Sequence, residues 1–210
     1  MMTLAGIPEA RIAVKPNFIS PDPGVGDHAG KFVLFVGRLS PDKGIETLLE
    51  AWETHNLPIP LRIAGDGPIR ELVVRFAVRH PDVTYLGQLP PGEVRKLMCD
   101  ATLLVFPSIA AEGMPLVILE SFAAGLPVLA SEHQNLIEIV GGADAGWFFP
   151  PGDAGALSGR VEAIWRVPSE VESRGRAARA AYEAHYMEAD NYRQLIGVYE
   201  SAATGRPVTA

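Results

Sequence analysis

Thr102-Leu103-Leu104-Val105-Phe106 runs into the break Pro107-Ser108. The chain continues as Glu112-Gly113-Met114-Pro115-Leu116-Val117-Ile118-Leu119-Glu120 and reaches Gly125-Leu126-Pro127 before the next apolar run at Val128. A short, nearly continuous apolar run bounded by a proline break reads as a strand covered on both faces, as in a parallel sheet. The stretch after it reads as a helix, since proline suits a first turn and Gly125-Leu126-Pro127 ends the run. Within that helix Glu120 has Leu116, Val117, Ala123 and Ala124 as its neighbours at three and four residues, all apolar. Residues at those spacings share a face. A carboxylate on such a face must find a partner or open onto a cleft, because burying a lone charge is costly. The alternative is that Glu120 occupies a narrow solvated stripe.

Outward from this unit the same alternation repeats. The pattern predicts strands at Phe32–Val36, Leu61–Ala64, Val83–Leu86, Thr102–Phe106, Val128–Ala130 and Trp147–Phe149. It predicts helices at Gly44–Thr54, Ile69–Arg79 and Gly92–Cys99 between the earlier strands. Strand–helix alternation with apolar strands implies an α/β, doubly wound parallel sheet of about six strands, Rossmann-like, with extra C-terminal helices. Pro168 is expected to separate two of those helices, and another is expected to start near Glu188. A further strand is expected at Arg11–Val14, and the Pro- and Gly-rich run from Pro16 to Gly30 reads as a linker. Arg174, Arg176 and Arg179 share a basic helix face, solvated or in contact with a partner.

The chain has 210 residues, 48% of them hydrophobic, enough for a substantial core. Its formal net charge of −7 argues against a nucleic-acid surface. One cysteine, Cys99, fits a reducing compartment, and a cytoplasmic protein is expected. No apolar run approaches the roughly 20 residues needed to span a bilayer, so membrane contact would be peripheral. The five histidines are scattered and no metal-ligand spacing is present. Neither a Gly-x-Ser-x-Gly elbow nor a Walker phosphate loop occurs.

The strand ends carry the chemistry. Open α/β sheets bind ligands beyond the carboxyl ends of their strands. The first strand ends in Gly37-Arg38-Leu39-Ser40-Pro41-Asp42-Lys43-Gly44, with two cations and a helix start at that edge. Such a place favours anions: the first helical N–H groups are unpaired, arginine grips phosphate bidentately and lysine acts as a point charge. A plain surface turn is the competing reading. The second strand ends in Gly65-Asp66-Gly67-Pro68, which resembles the start of a dinucleotide fingerprint, but Arg70 stands where its third glycine belongs. No ribose-binding acid follows Leu86-Gly87 where that fingerprint needs one, so a nicotinamide dehydrogenase is disfavoured. Gly113, Met114 and Leu116 can offer backbone N–H groups at the start of the Glu120 helix.

These pieces, in this order across residues 14 to 155, resemble the C-terminal lobe of a retaining family-4 glycosyltransferase of the GT-B fold. The resemblance also takes in Glu138 and Pro150-Pro151-Gly152-Asp153. It implies a nucleoside-diphosphate-sugar donor, transfer with retention, and no bound metal or other cofactor. Arg38 and Lys43 would hold the diphosphate beside Gly37. Glu112, the implied catalytic residue, would hold the donor sugar together with the N–H groups of Gly113, Met114 and Leu116. Glu120 would bind the ribose hydroxyls. The turns at Gly65, Gly67 and Leu86 would flank the base.

A complete enzyme of that family is nearly twice as long. By resemblance, residues 1–30 are a remnant of the N-terminal lobe and the interlobe linker. Residues 31–185 are the nucleotide-sugar-binding domain, and 186–210 are a crossover helix and tail. The partner is then an N-terminal lobe, in the same or a separate chain. Two other readings stand beside this one: a non-hydrolysing sugar-nucleotide epimerase of the same fold, and a non-catalytic sugar-nucleotide-binding domain that serves another chain. Base, sugar and acceptor are not encoded in any motif recognised here.

Overall fold

In the computed structural model the described residues are 12–54 and 57–204. Six strands form one sheet: β1 (Val33–Val36), β2 (Leu61–Ala64), β3 (Val83–Gly87), β4 (Leu103–Phe106), β5 (Val128–Ser131) and β6 (Gly146–Phe149). All the pairings are parallel and the order is β3-β2-β1-β4-β5-β6. The fold class is therefore the doubly wound, Rossmann-like one expected. Helices α1 (Ile45–Thr54), α2 (Arg70–Arg79), α3 (Pro91–Asp100) and α4 (Leu116–Ala124) connect the strands up to β5. A short turn α5 (Gln134–Leu136) runs on into a π-helical turn at Ile137–Gly141, which the sequence reading did not foresee. Three helices follow: α6 (Ala154–Trp165), α7 (Pro168–His185) and α8 (Glu188–Thr204).

The central strands β1 and β4 are apolar throughout because both faces are covered. Successive side chains of a strand point to opposite faces. Val33 and Phe35 of β1 therefore join Leu61, Ile63, Leu103 and Val105 in one core layer, against Trp52 of α1, Phe76 of α2 and Leu157 of α6. Phe32, Leu34, Leu104 and Phe106 join the opposite layer with Phe122 of α4 and Tyr182 of α7. At the end of α4, Gly125 adopts φ +71° and the Leu126 N–H bonds the Ser121 carbonyl at 2.9 Å. A left-handed glycine of this kind satisfies the last helical carbonyls and turns the chain into β5.

Two expectations need correction. Ile12–Val14 has no strand partner among the described residues, and Arg11 lies outside them. The run from Pro16 to Gly30 is not a loose linker. Its backbone is pinned to the domain by Gly26 N–H to the Ala124 carbonyl (3.0 Å), His28 N–H to Cys99 (3.0 Å) and Gly30 N–H to Asp100 (2.9 Å). Its glycines allow this close approach: a Cβ on Gly26 would lie 2.1 Å from the Cys99 carbonyl oxygen. The basic face of α7 is also largely committed internally. Arg174 pairs with Asp144 and stacks on Trp147, and Arg179 pairs with Asp22 and Glu183.

Gly44 fixes the start of α1. It sits at φ +69°, and a Cβ there would lie 1.9 Å from the Pro107 carbonyl oxygen at the end of β4. Both left-handed strain and a backbone clash therefore oppose a side chain. Gly44→Ala is expected to cost about 3–5 kcal/mol, within the range of severe single substitutions. At this size that lowers Tm by roughly 6–20 °C, measured by thermal unfolding.

Candidate functional site

The order of the sheet opens a crevice where β1 and β4 lie side by side, since the chain winds outward from them in opposite directions. The loops leaving these two strands are bound together there. The Asp42 carbonyl accepts the Ile109 N–H at 2.9 Å and the Ala110 N–H at 3.3 Å, and lies 3.0 Å from the Ser108 hydroxyl. This brings Lys43, from the first loop, onto Glu112, from the second. They form a half-buried ion pair. Ser108 Oγ is also 2.8 Å from Glu112 Oε1, and its one hydrogen serves one acceptor at a time.

Residues after β5 hold the Glu112 loop from below. Asn135 donates its amide N–H groups to the Glu112 carbonyl and, at 2.8 Å, to the Gly113 carbonyl. His133 Nε2 lies 3.0 Å from the Ser108 carbonyl; a carbonyl only accepts, so that nitrogen carries the hydrogen. From the N-terminal strap, Asn17 donates its amide N–H to the Met114 carbonyl at 3.4 Å and its backbone N–H to Met114 Sδ at 3.2 Å. None of these partners was singled out from sequence. The one available signal was position: His133 and Asn135 follow a strand, and every strand in this sheet points its carboxyl end at the same edge.

The N–H groups of Gly113, Met114 and Leu116 donate to nothing among the described residues. They face the start of α4, where unpaired N–H groups and the helix dipole favour negative or hydroxylic ligands. No side chain caps this helix.

Three of the other expected residues lie on a neighbouring cleft of about 460 Å³ at the ends of β1, β2 and β3. Gly37, Arg38 and Gly65 line it, with Asp66, Gln88, Leu89 and Val94. Gly65 lets this cleft form: it sits at φ +147°, and a Cβ would lie 1.8 Å from the Gly37 carbonyl oxygen. Gly67 does not line the cleft; its N–H is turned onto Asp66 Oδ1 at 2.8 Å and it packs on the Leu39 backbone. Leu86 does not line it either, being inside β3, and Gln88 and Leu89 take that place. Arg38 is exposed and makes no ion pair among the described residues.

Glu120 is half-buried on α4 and takes neither a hydrogen bond nor an ion pair from any described residue. Burial pushes its carboxyl above the ordinary carboxylate value of 4.5, and the positive charge of Arg95 partly opposes this. A charge held this way without a partner is a cost to the fold, and such costs concentrate where a ligand is bound.

The family model described as glycosyl transferases group 1 matches residues 23–184. The chain belongs to this family. An uncharacterized glycosyltransferase of Methanocaldococcus jannaschii is 40% identical over 184 residues, covering 82% of this chain and 45% of that protein. The amylovoran biosynthesis glycosyltransferase AmsK of Erwinia amylovora is 30% identical over 183 residues, covering 81% and 45%. This glycosyl transferases group 1 chain thus spans about half the length of the curated relatives it matches. Among solved structures, sucrose-phosphate synthase from Thermosynechococcus elongatus superposes with a TM-score of 0.80 at 24% identity, covering 92% of this chain and 53% of that one. Anabaena HepE in complex with UDP-glucose gives a TM-score of 0.71 at 22% identity, covering 84% and 50%. These likenesses establish the shared fold. Among the described residues no helix is long and apolar enough to cross a membrane.

The unpartnered carboxyl of Glu120 has a measurable signature. Its folded-state pKa lies above 4.5, so its ionised form is disfavoured by folding. Its contribution to stability is favourable below the unfolded value and is lost as pH rises through the folded one. Glu120→Gln is therefore expected to raise Tm at neutral pH by roughly 1–2 °C. The gain should shrink as pH falls through 4.5 and disappear well below it, where the carboxyl is protonated in both states.

Proposed function

We propose that this chain is the donor-binding, C-terminal lobe of a retaining glycosyltransferase that takes its sugar from a nucleoside diphosphate. The observation that carries the reading is the joining of three features at one sheet edge. These are the cations Arg38 and Lys43, the unpaired N–H groups at the start of α4, and two half-buried acidic side chains, Glu112 beside Lys43 and Glu120 on α4. Arg38 and Lys43 take the diphosphate. Glu120 accepts the two ribose hydroxyls, and the base lies in the cleft beside Gly37, Gly65, Gln88 and Leu89. Glu112 takes the sugar hydroxyls, assisted by Gly113, Met114 and Leu116. Structural neighbours at low identity include a protein in complex with UDP-glucose, which supports a nucleotide-sugar ligand.

In the same reading, residues 31–185 form the binding domain. Residues 1–30 and 186–210 belong to the junction with an acceptor-binding lobe, which supplies the other half of the active site. The relatives' length, about twice the matched span, supports that division. A reducing, cytoplasmic setting fits the single cysteine, and the reaction uses no resident cofactor in this proposal.

Calorimetry with UDP, GDP and ADP tests the reading directly. One of them should bind, and Arg38→Ala or Lys43→Ala should weaken it about 10- to 100-fold, since a hydrogen bond to a charged group is worth roughly 1.5–3 kcal/mol. The nucleoside without phosphates should be little affected; equal losses for both would refute the diphosphate role. Glu120→Gln should weaken the nucleoside diphosphate but not its 2′,3′-dideoxy form, because the carboxylate accepts from both hydroxyls.

A transfer assay with nucleotide sugars and an acceptor panel is expected to show binding without turnover by these 210 residues. Holding both reactants in one geometry can supply about 7–11 kcal/mol of barrier lowering, and that requires the second lobe. Robust turnover by the chain alone would overturn the half-site reading.

A further inference from the structure

The two side chains assigned to different parts of the donor touch each other across the crevice. Lys43, the diphosphate cation, is paired with Glu112, the sugar-binding carboxylate. We propose that this ion pair is an exchange switch that makes the site prefer a nucleotide sugar over the bare nucleoside diphosphate. The inference rests on the donor-site reading above and adds to it a basis for discrimination between substrate and product.

The pair is shielded enough to matter. The side chains of Lys43 and Glu112 are only 26% and 17% exposed, so their attraction is less screened than that of a surface pair. A diphosphate entering beside Arg38 and the first turn of α4 competes with Glu112 for the Lys43 ammonium. The released carboxylate cannot retreat with its loop. Asn135 holds the Glu112 and Gly113 carbonyls, and the Asp42 carbonyl holds the Ile109 and Ala110 N–H groups. Ser108 supplies at most one hydrogen bond to it.

Glu112 then stands close to a multiply charged phosphate with its strongest partner gone. Sugar hydroxyls would satisfy it as new donors. A bare nucleoside diphosphate brings no such donor, so its binding carries both the broken ion pair and the repulsion of an uncompensated carboxylate. Loss of the sugar on transfer would return Glu112 to Lys43 and weaken the hold on the product. Release of the nucleoside diphosphate is thereby built into the same pair of residues that captures the donor.

The test is a double-mutant cycle read by calorimetry. The ligands are whichever of UDP, GDP and ADP binds, and the corresponding glucose and mannose nucleotides. Glu112→Gln keeps the side-chain shape and removes the charge, and Lys43→Met keeps the aliphatic stem. Glu112→Gln is expected to tighten the bare nucleoside diphosphate by about 3- to 10-fold, as expected for a partly shielded pair. The same change should erase or reverse the preference for the nucleotide sugar. In the Lys43→Met background the tightening should be clearly smaller, because no ion pair remains to be released and only the repulsion of the phosphate is relieved.

Unchanged or weaker binding of the bare diphosphate by Glu112→Gln would overturn the inference while leaving the donor reading intact. So would tightening that persists undiminished in Lys43→Met, since that result signifies through-space repulsion and no exchange. Failure of all three nucleotides to bind the unmodified chain would overturn the donor reading itself, and this inference with it. Thermal melts of each variant identify any loss of binding that comes from unfolding.

Discussion

The adjacency of β1 and β4 is the constraint on which the rest of this structure depends. Parallel strands need a crossover between each pair, and covering both faces forces the chain to wind outward in two directions from a central pair. Where the directions part, the two loops diverge and leave a crevice that neither layer of helices fills. In this chain the gap is held to a fixed width by backbone contacts. Gly44 passes against the Pro107 carbonyl, and the Asp42 carbonyl binds the N–H groups of Ile109 and Ala110. Residues far apart in sequence, Lys43 and Glu112, become partners as a result.

The site that grows on this frame is held in an unsatisfied condition. Glu120 carries a carboxyl whose ionisation burial opposes, with only the charge of Arg95 in its favour. The first N–H groups of α4 have no cap, and Arg38 has no carboxylate partner among the described residues. Each of these is a small cost to stability. Lys43 and Glu112 are the exception, because they satisfy one another. The site therefore combines unpartnered groups with one ion pair that satisfies itself.

The segments outside the sheet serve as supports. The strap from Pro16 to Gly30 is stitched along α3 and the end of α4, and Asn17 reaches the Met114 loop. The same strap anchors α8. Buried Asn191 accepts from Lys15 Nζ at 2.5 Å and donates to the Pro16 carbonyl at 2.6 Å. Beyond that anchor, Tyr192 and Tyr199 of α8 are each 63% exposed, so this helix adds little to the core. The arginines of α7 do the reverse of what a basic stripe suggests: two of the three are spent on holding Asp22, Glu183 and Asp144 in place.

The sequence alone determined the six strands, the helices between the earlier ones and the edge at which the strand-end loops gather. Period-two and helical apolar patterns are local, and a doubly wound fold puts every loop after a strand on one side. That is why Arg38, Lys43, Glu112 and Glu120 could be named from motif and position. The tertiary structure alone decided which of them meet. Pairing of Lys43 with Glu112 depends on β1 and β4 being neighbours. The clamp by Asn135 and His133 depends on β5 lying next to β4. Leu86 and Gly67 fell away from the cleft because strand register and a local turn set side-chain direction, and neither is written in composition. The Pro- and Gly-rich strap carried linker composition, yet its glycines permit close backbone contact with α3. Residue type recorded the freedom of that segment, and only packing showed how the freedom is used.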